Sequence, residues 1–220
     1  MTPQTSHSLA TQFRALSEEL CRFIEEEGLA VRPYATPTLP YFFQLDEETQ
    51  KEVVGRLSDY LNICRSVYKE GHQLKESSFF IRKALEYYGY EYNPNLFEFL
   101  RNGRDVGEFY TLHHTQFFRT LNYFEFTSYT IEDIYCRQWI HLYQRDEEIS
   151  QLMFTKITTL VKENPQGSLY FSHPHVLKER ASLERIELHI NGHHISCLRK
   201  DGEVQALTSI ISCEAEYQTT

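Results

Sequence analysis

The chain of 220 residues carries 31 acidic against 22 basic side chains, a net charge of −9, and no basic run longer than two, which excludes the clustered Lys and Arg that a phosphate backbone requires. Its length buries a core without staples, and five scattered cysteines with no C-x-x-C pair point to free thiols in a reducing cytoplasm. No window approaches the roughly eighteen apolar residues of a membrane span. Fifteen Phe and fifteen Tyr beside one Trp make the interior ring-rich, as plain core or as the wall of a cavity for a planar or apolar ligand.

In the first half the apolar spacing is helical. Leu9, Phe13, Leu16, Leu20 and Phe23 form one stripe on a helix that Gly28 terminates. After the loop RPYATPTLPYFF, Asp46 offers an N-cap to a second helix with Val53, Val54, Leu57, Leu61, Cys64 and Tyr68 on one side and Gly71 as its stop. A third helix begins after Ser77 or Ser78 and reaches Gly89; Asn93 and Pro94 open a short fourth, LFEFL, that Arg101-Asn102-Gly103 stops. Residues 1–104 therefore read as an N-terminal helical region.

Over residues 105–220 the period changes. VGEFYTL and TQFFRTLNYF, joined across His113 and His114, read as two paired strands. Thr130 and Asp133 form a capping box for a short helix. Asp146 starts a longer one, with Ile149, Leu152, Met153, Ile157, Leu160 and Val161 on one face and a stop at Asn164, Pro165 and Gly167. Asn191-Gly192 and Asp201-Gly202 are both signatures of two-residue hairpin turns, so three strands are expected to close the chain. The implied register opposes Ile190 to His193, His189 to His194 and Cys197 to Ala206. One face then carries Ile186, Leu188, Ile190, His193, Ile195, Cys197, Val204, Ala206 and Ile210; the other carries Arg185, Glu187, His189, His194, Ser196 and Ser209. The metal candidates are His189 and His194, opposed across the turn, with His173 and His175 beside Pro174; His193 points elsewhere, and no fixed-spacing ligand motif is present.

NYFEFTSYTIEDIYCRQWIHLYQRDEEIS resembles the stretch in which PAS domains leave their second strand, pass a tyrosine, Thr or Ser, acidic residues and a Trp, and reach an acidic pair opening the next helix. RKDGEVQALTSI resembles their closing hairpin. The matching positions are Tyr129, Thr130, Glu132, Asp133, Trp139, Leu142 and Asp146, then Arg199, Asp201, Gly202 and Val204, within the half of the chain from 105 to 220. The resemblance implies an α+β fold in which the N-terminal helical region precedes a PAS-like five-stranded antiparallel sheet with helices on one face. Residues 167–183 make a longer link than usual, where an added strand would alter the sheet or the pocket mouth.

The resemblance also implies a pocket between the inward sheet face and the short helices, the space in which members of this family hold haem, flavin or small metabolites. Phe117, Tyr123, Trp139, His141, Tyr143, His193 and Cys197 are the ligand-facing candidates. His141 is the histidine nearest the long helix, where haem-binding members place an axial ligand; YCRQW, with Cys136 and Arg137, is similar to the flavin-adduct motif, but Tyr135 stands in place of its asparagine. The cofactor is left unspecified. The expected function is a cytoplasmic sensory or regulatory module in which a ligand or protein contact shifts the helical half on the sheet half. Its expected partners are a second copy, as a homodimer, and a separate output protein, with neither nucleic acid nor membrane. A ligand-free interaction scaffold and a histidine-based metal enzyme are the alternatives. No Gly-rich phosphate loop, G-x-S-x-G elbow or motif-flanked Cys and His pair marks a catalytic site.

Overall fold

The structure, a computed structural model, describes residues 3–100, 105–180 and 186–217. The expected stop at 101–103 and Arg185 lie outside the described residues.

Three helices form the N-terminal part: α1 (Pro3–Glu26), α2 (Glu47–Lys69) and α3 (Ser77–Tyr88). Asp46 caps α2 by accepting from the Thr49 amide, and α3 ends at Gly89 in the left-handed conformation. The fourth expected helix is a 3-10 turn, Pro94–Phe99, capped by Asn93. α1 packs on α2 and on the loop before it, with Phe13 stacked on Phe42 at 4.8 Å and Phe23 on Tyr68 at 5.2 Å.

The C-terminal half is a curled antiparallel sheet with helices inserted between its second and third strands. Its elements are β1 (Val106–Thr111), β2 (Gln116–Arg119), α4 (Ile131–Cys136), α5 (Trp139–Leu142), β3 (Tyr143–Gln144), α6 (Glu147–Glu163), β4 (Ser168–Phe171), β5 (His175–Glu179), β6 (Ile186–Lys200) and β7 (Glu203–Tyr217). Strand order is β2-β1-β7-β6-β5-β3, with β4 also on β6. The expected five strands are seven among the described residues, because the 167–183 link contributes β4 and β5, Tyr143-Gln144 adds a short edge pair with β5, and two of the expected closing strands are the single β6. Helices cover both faces, not one. α2 and α3 cover the outer face, where Tyr60, Phe80 and Phe118 meet at 5.0–5.6 Å and Tyr60 donates to the Arg119 carbonyl at 2.8 Å. α6 covers the inner face through Met153, Ile157 and Leu160, against Ile195, Cys197 and Leu207.

The turn at Asp201-Gly202 forms as expected, with Lys200 paired to Glu203 and both turn residues at positive φ. The turn at Asn191-Gly192 does not. β6 runs through it as one strand of 15 residues, with a bulge between Ile190 and Gly192, and neither residue adopts positive φ. Opposite that bulge the edge breaks at 172–174: β4 pairs with Ser196 to His193, and β5 resumes against Ile190 to Glu187. Gly192 serves close approach instead, since a Cβ there would stand 2.8 Å from the Tyr170 hydroxyl. A second bulge, at Leu198/Arg199, slips the expected β7 register by one: Cys197 pairs with Leu207, and Ala206 with Leu198. Ala206 and Ile210 therefore face the helices, while Ser209 faces inward.

One continuous core joins the α1–α3 stripes to the outer sheet face, including Leu198, Ala206 and Ile210. The apolar stripes that suggest a second copy in the sequence are thus covered within the chain. Among the described residues no helix is long and apolar enough to cross a membrane.

Candidate functional site: a cavity beneath the inner sheet face

Alternation along β1 turns Gly107 and Phe109 toward the helices and Val106, Glu108 and Tyr110 inward. On β6 the bulge keeps Leu188, Ile190, His193 and Ile195 on that inner side, and Ser209, Ile211 and Cys213 of β7 lie beside them. α6 does not fill the concavity. A cavity of about 90 Å³ remains, with a mostly apolar wall of aliphatic and aromatic side chains to which Tyr123, Trp139, Tyr143 and Arg145 contribute.

Most polar groups of this cavity fall into three sets, beside the buried Thr208 hydroxyl, which has no hydrogen-bond partner among the described residues. Glu108 accepts from the Tyr110 hydroxyl and from Gln116 Nε2; Gln116 in turn accepts from the Arg119 guanidinium, which lies 4.4 Å over the Tyr123 ring. Burial and the adjoining Glu108 carboxylate push the Tyr110 phenol well above its ordinary value, so it stays a donor. Tyr123 and Tyr143 share a hydroxyl contact of 2.8 Å.

The second set is His193, only 7 % exposed. Its Nδ1 lies 3.2 Å from Ser209 Oγ, and its Nε2 has no hydrogen-bond partner. Burial, helped by His175 and Arg145, lowers its pKa to about 3, so the imidazole is neutral. His175 stacks nearly parallel to it, with centroids 5.3 Å apart.

Arg145 is the third. It lies 3.8 Å over Trp139, which donates through Nε1 to the His114 carbonyl at 2.6 Å. The Arg145 Nε is buried without a hydrogen-bond partner, and the guanidinium pairs with no carboxylate among the described residues. Burial lowers its pKa, but a guanidinium remains charged in protein surroundings. Arg145, Trp139, Tyr143 and Phe154 also line a groove on the outer side, so this aromatic and cationic wall separates cavity from surface.

Of the seven expected ligand-facing residues, Tyr123, Trp139, Tyr143 and His193 line the cavity together. Phe117 does not: it sits at the β2 irregularity and packs outward on Tyr88 and Phe109. His141 is exposed in α5, and Cys197 packs under α6 in the cluster beside the cavity without lining it. Glu108, Gln116, Arg145 and Ser209 are the additions. Strand alternation from Val106 would have indicated Glu108, whereas Arg145, one residue before a helix cap, carries no sequence signal.

The metal candidates do not converge. His189 and His194 are five residues apart on one strand, roughly 15 Å at strand rise, instead of opposed across a turn. His194 is sandwiched between Phe99 at 4.0 Å and Tyr170 at 4.4 Å, and His189 lies 3.5 Å from Glu216. His173 and His175 stack on Phe171 and His193, and among the described residues no group of three potential ligands is assembled. Cys136 and Arg137 line a separate cleft, with Arg137 bound to Asp133 at 2.9 Å. An apolar cavity of about 150 Å³ holds benzene, so a haem or flavin ring system exceeds the space present here.

Comparison of the chain with models of known protein families gives no match, and comparison with curated proteins gives none.

Proposed function

We propose that the chain is a sensory or regulatory module of PAS-like build that takes a small molecule into the cavity beneath its inner sheet face. The observation carrying this reading is the cavity itself: a mostly apolar space lined by two buried polar nitrogens, His193 Nε2 and Arg145 Nε, without partners. Buried polar groups are normally satisfied, and a ligand that satisfies them accounts for their retention. The curled antiparallel sheet behind an N-terminal helical region is compatible with the PAS-like fold.

The route to an output is short. Glu108 on the cavity side is flanked in β1 by Gly107, over which Ile81 of α3 packs so closely that a Cβ would lie 2.5 Å from its Cδ1. A ligand that displaces β1 or β7 therefore acts directly on the helical layer, where a separate output protein or a second copy would read it. Native and denaturing mass spectra of the purified protein, with an absorption scan, test the ligand. A mass excess that vanishes on denaturation supports the module. A bare mass, with no binding from a panel of small apolar and polar molecules, favours a scaffold that works through protein contacts alone.

A further inference from the structure

We infer that the cavity selects a small organic monoanion, a carboxylate on a short apolar body, with its charge met by Arg145 and one oxygen by the His193 imidazole. This inference rests on reading the cavity as a ligand site.

Charge makes the first argument. Glu108 is the carboxylate that lines the cavity, and it is committed to Tyr110 and Gln116, with Arg119 held in the same network through Gln116. Arg119 offsets its charge within that network, so Arg145, which Glu108 attracts only at longer range and which shares the outer groove with Glu147, lines an apolar space with no carboxylate in direct contact among the described residues. The imidazoles of His193 and His175, which feel the Arg145 charge, are held toward neutrality mainly by burial. Asp146 is turned away, its carboxylate capping α6 through the Ile149 amide at 3.0 Å. A cation would meet Arg145 unfavourably, and a neutral ligand would leave it unneutralised.

Geometry makes the second. The guanidinium lies with Trp139 against its face and its Nε without a hydrogen-bond partner, and a carboxylate takes two parallel N–H donors at the edge of such a group. When the Ser209 hydroxyl donates to His193 Nδ1, Nε2 carries the proton and donates into the cavity. Val106, Met153, Ile157 and Ile195 supply the apolar walls. A cavity of about 90 Å³ admits a body of about three to five carbons. Because Arg145 and Trp139 also line the outer groove, the charged end of the ligand lies at the wall through which it would pass.

Calorimetric titration of the full chain at pH 7 with butyrate, the isosteric butyramide and the smaller propylammonium tests this. Butyrate is expected to bind at least about tenfold more tightly than butyramide, the effect of one charged hydrogen-bonded pair, and propylammonium not at all. Arg145→Gln is expected to abolish the preference, and Arg145→Lys to keep part of it, with unchanged far-UV circular dichroism. Equal binding of butyrate and butyramide, or a preference that survives Arg145→Gln, overturns the anion assignment and leaves the cavity reading standing. If none of the three binds, and benzene and xenon bind no better, the cavity reading itself fails. Should the variants not fold, the three ligands on the unaltered chain still decide.

Discussion

His193 shows how one buried side chain makes stability depend on pH. In the unfolded chain its pKa is near 6.5, and in the fold it is about 3. Between these values the unfolded state holds a proton that the folded state does not, so stability is fully present above about pH 6.5 and is lost as pH falls toward 3. The slope from this residue is at most about 1.4 kcal/mol per pH unit. His175 is lowered in the same direction and adds to it. Urea midpoints measured from pH 7 to pH 5 are expected to fall for the native sequence and to fall less for His193→Leu; identical slopes would show that this imidazole is not shielded.

At the scale of elements, two glycines make contrasting predictions. Gly107 of β1 lies under Ile81, and a Cβ there also meets the Thr120 methyl at 3.2 Å, inside a packed core. Gly107→Val is expected to cost about 1–3 kcal/mol through overpacking. Gly192 lies under the far end of the Tyr170 ring, which is 56 % exposed and can give by a small shift while stacked on His194, so Gly192→Ala should change stability by about 0.5 kcal/mol or less. Chemical denaturation of both variants checks the order; a larger loss at Gly192 would contradict the sheet packing described. The capping box of α4 offers a third test. Thr130 accepts from the Asp133 amide while Asp133 accepts from the Thr130 amide, and Thr130→Ala is expected to cost about 1 kcal/mol.

Across the whole molecule, the helical layer and the sheet share one core, with Tyr60, Phe80 and Phe118 at its centre. Glu132 adds a polar tie, its carboxylate accepting from the Tyr41 and Phe42 amides across 90 residues of chain. Unfolding should therefore be a single cooperative transition. Trp139, the one tryptophan, reports the sheet half by fluorescence, and far-UV circular dichroism reports mainly the helices. Coincident midpoints are expected; two separated transitions would mean that the halves fold independently.

The helices, their caps and the first strand pair were legible in sequence, because apolar spacing, Asp46, Gly89 and the Thr130 box act within a few residues of themselves. The inward set Ile186, Leu188, Ile190, His193 and Ile195 was legible too, although the device that produces it was misread. A two-residue turn and a one-residue bulge both place Ile190 and His193 on the same face, so alternation alone does not distinguish them. What decided between them was the length of β7, which offers β6 a continuous partner from Glu203 to Tyr217, and the broken edge strand opposite the bulge. The cavity belongs wholly to this second kind of fact. It depends on a bulge at Leu198/Arg199 that turns Ser209 inward and on how far α6 stands from the sheet, and such long-range packing leaves no motif in the chain.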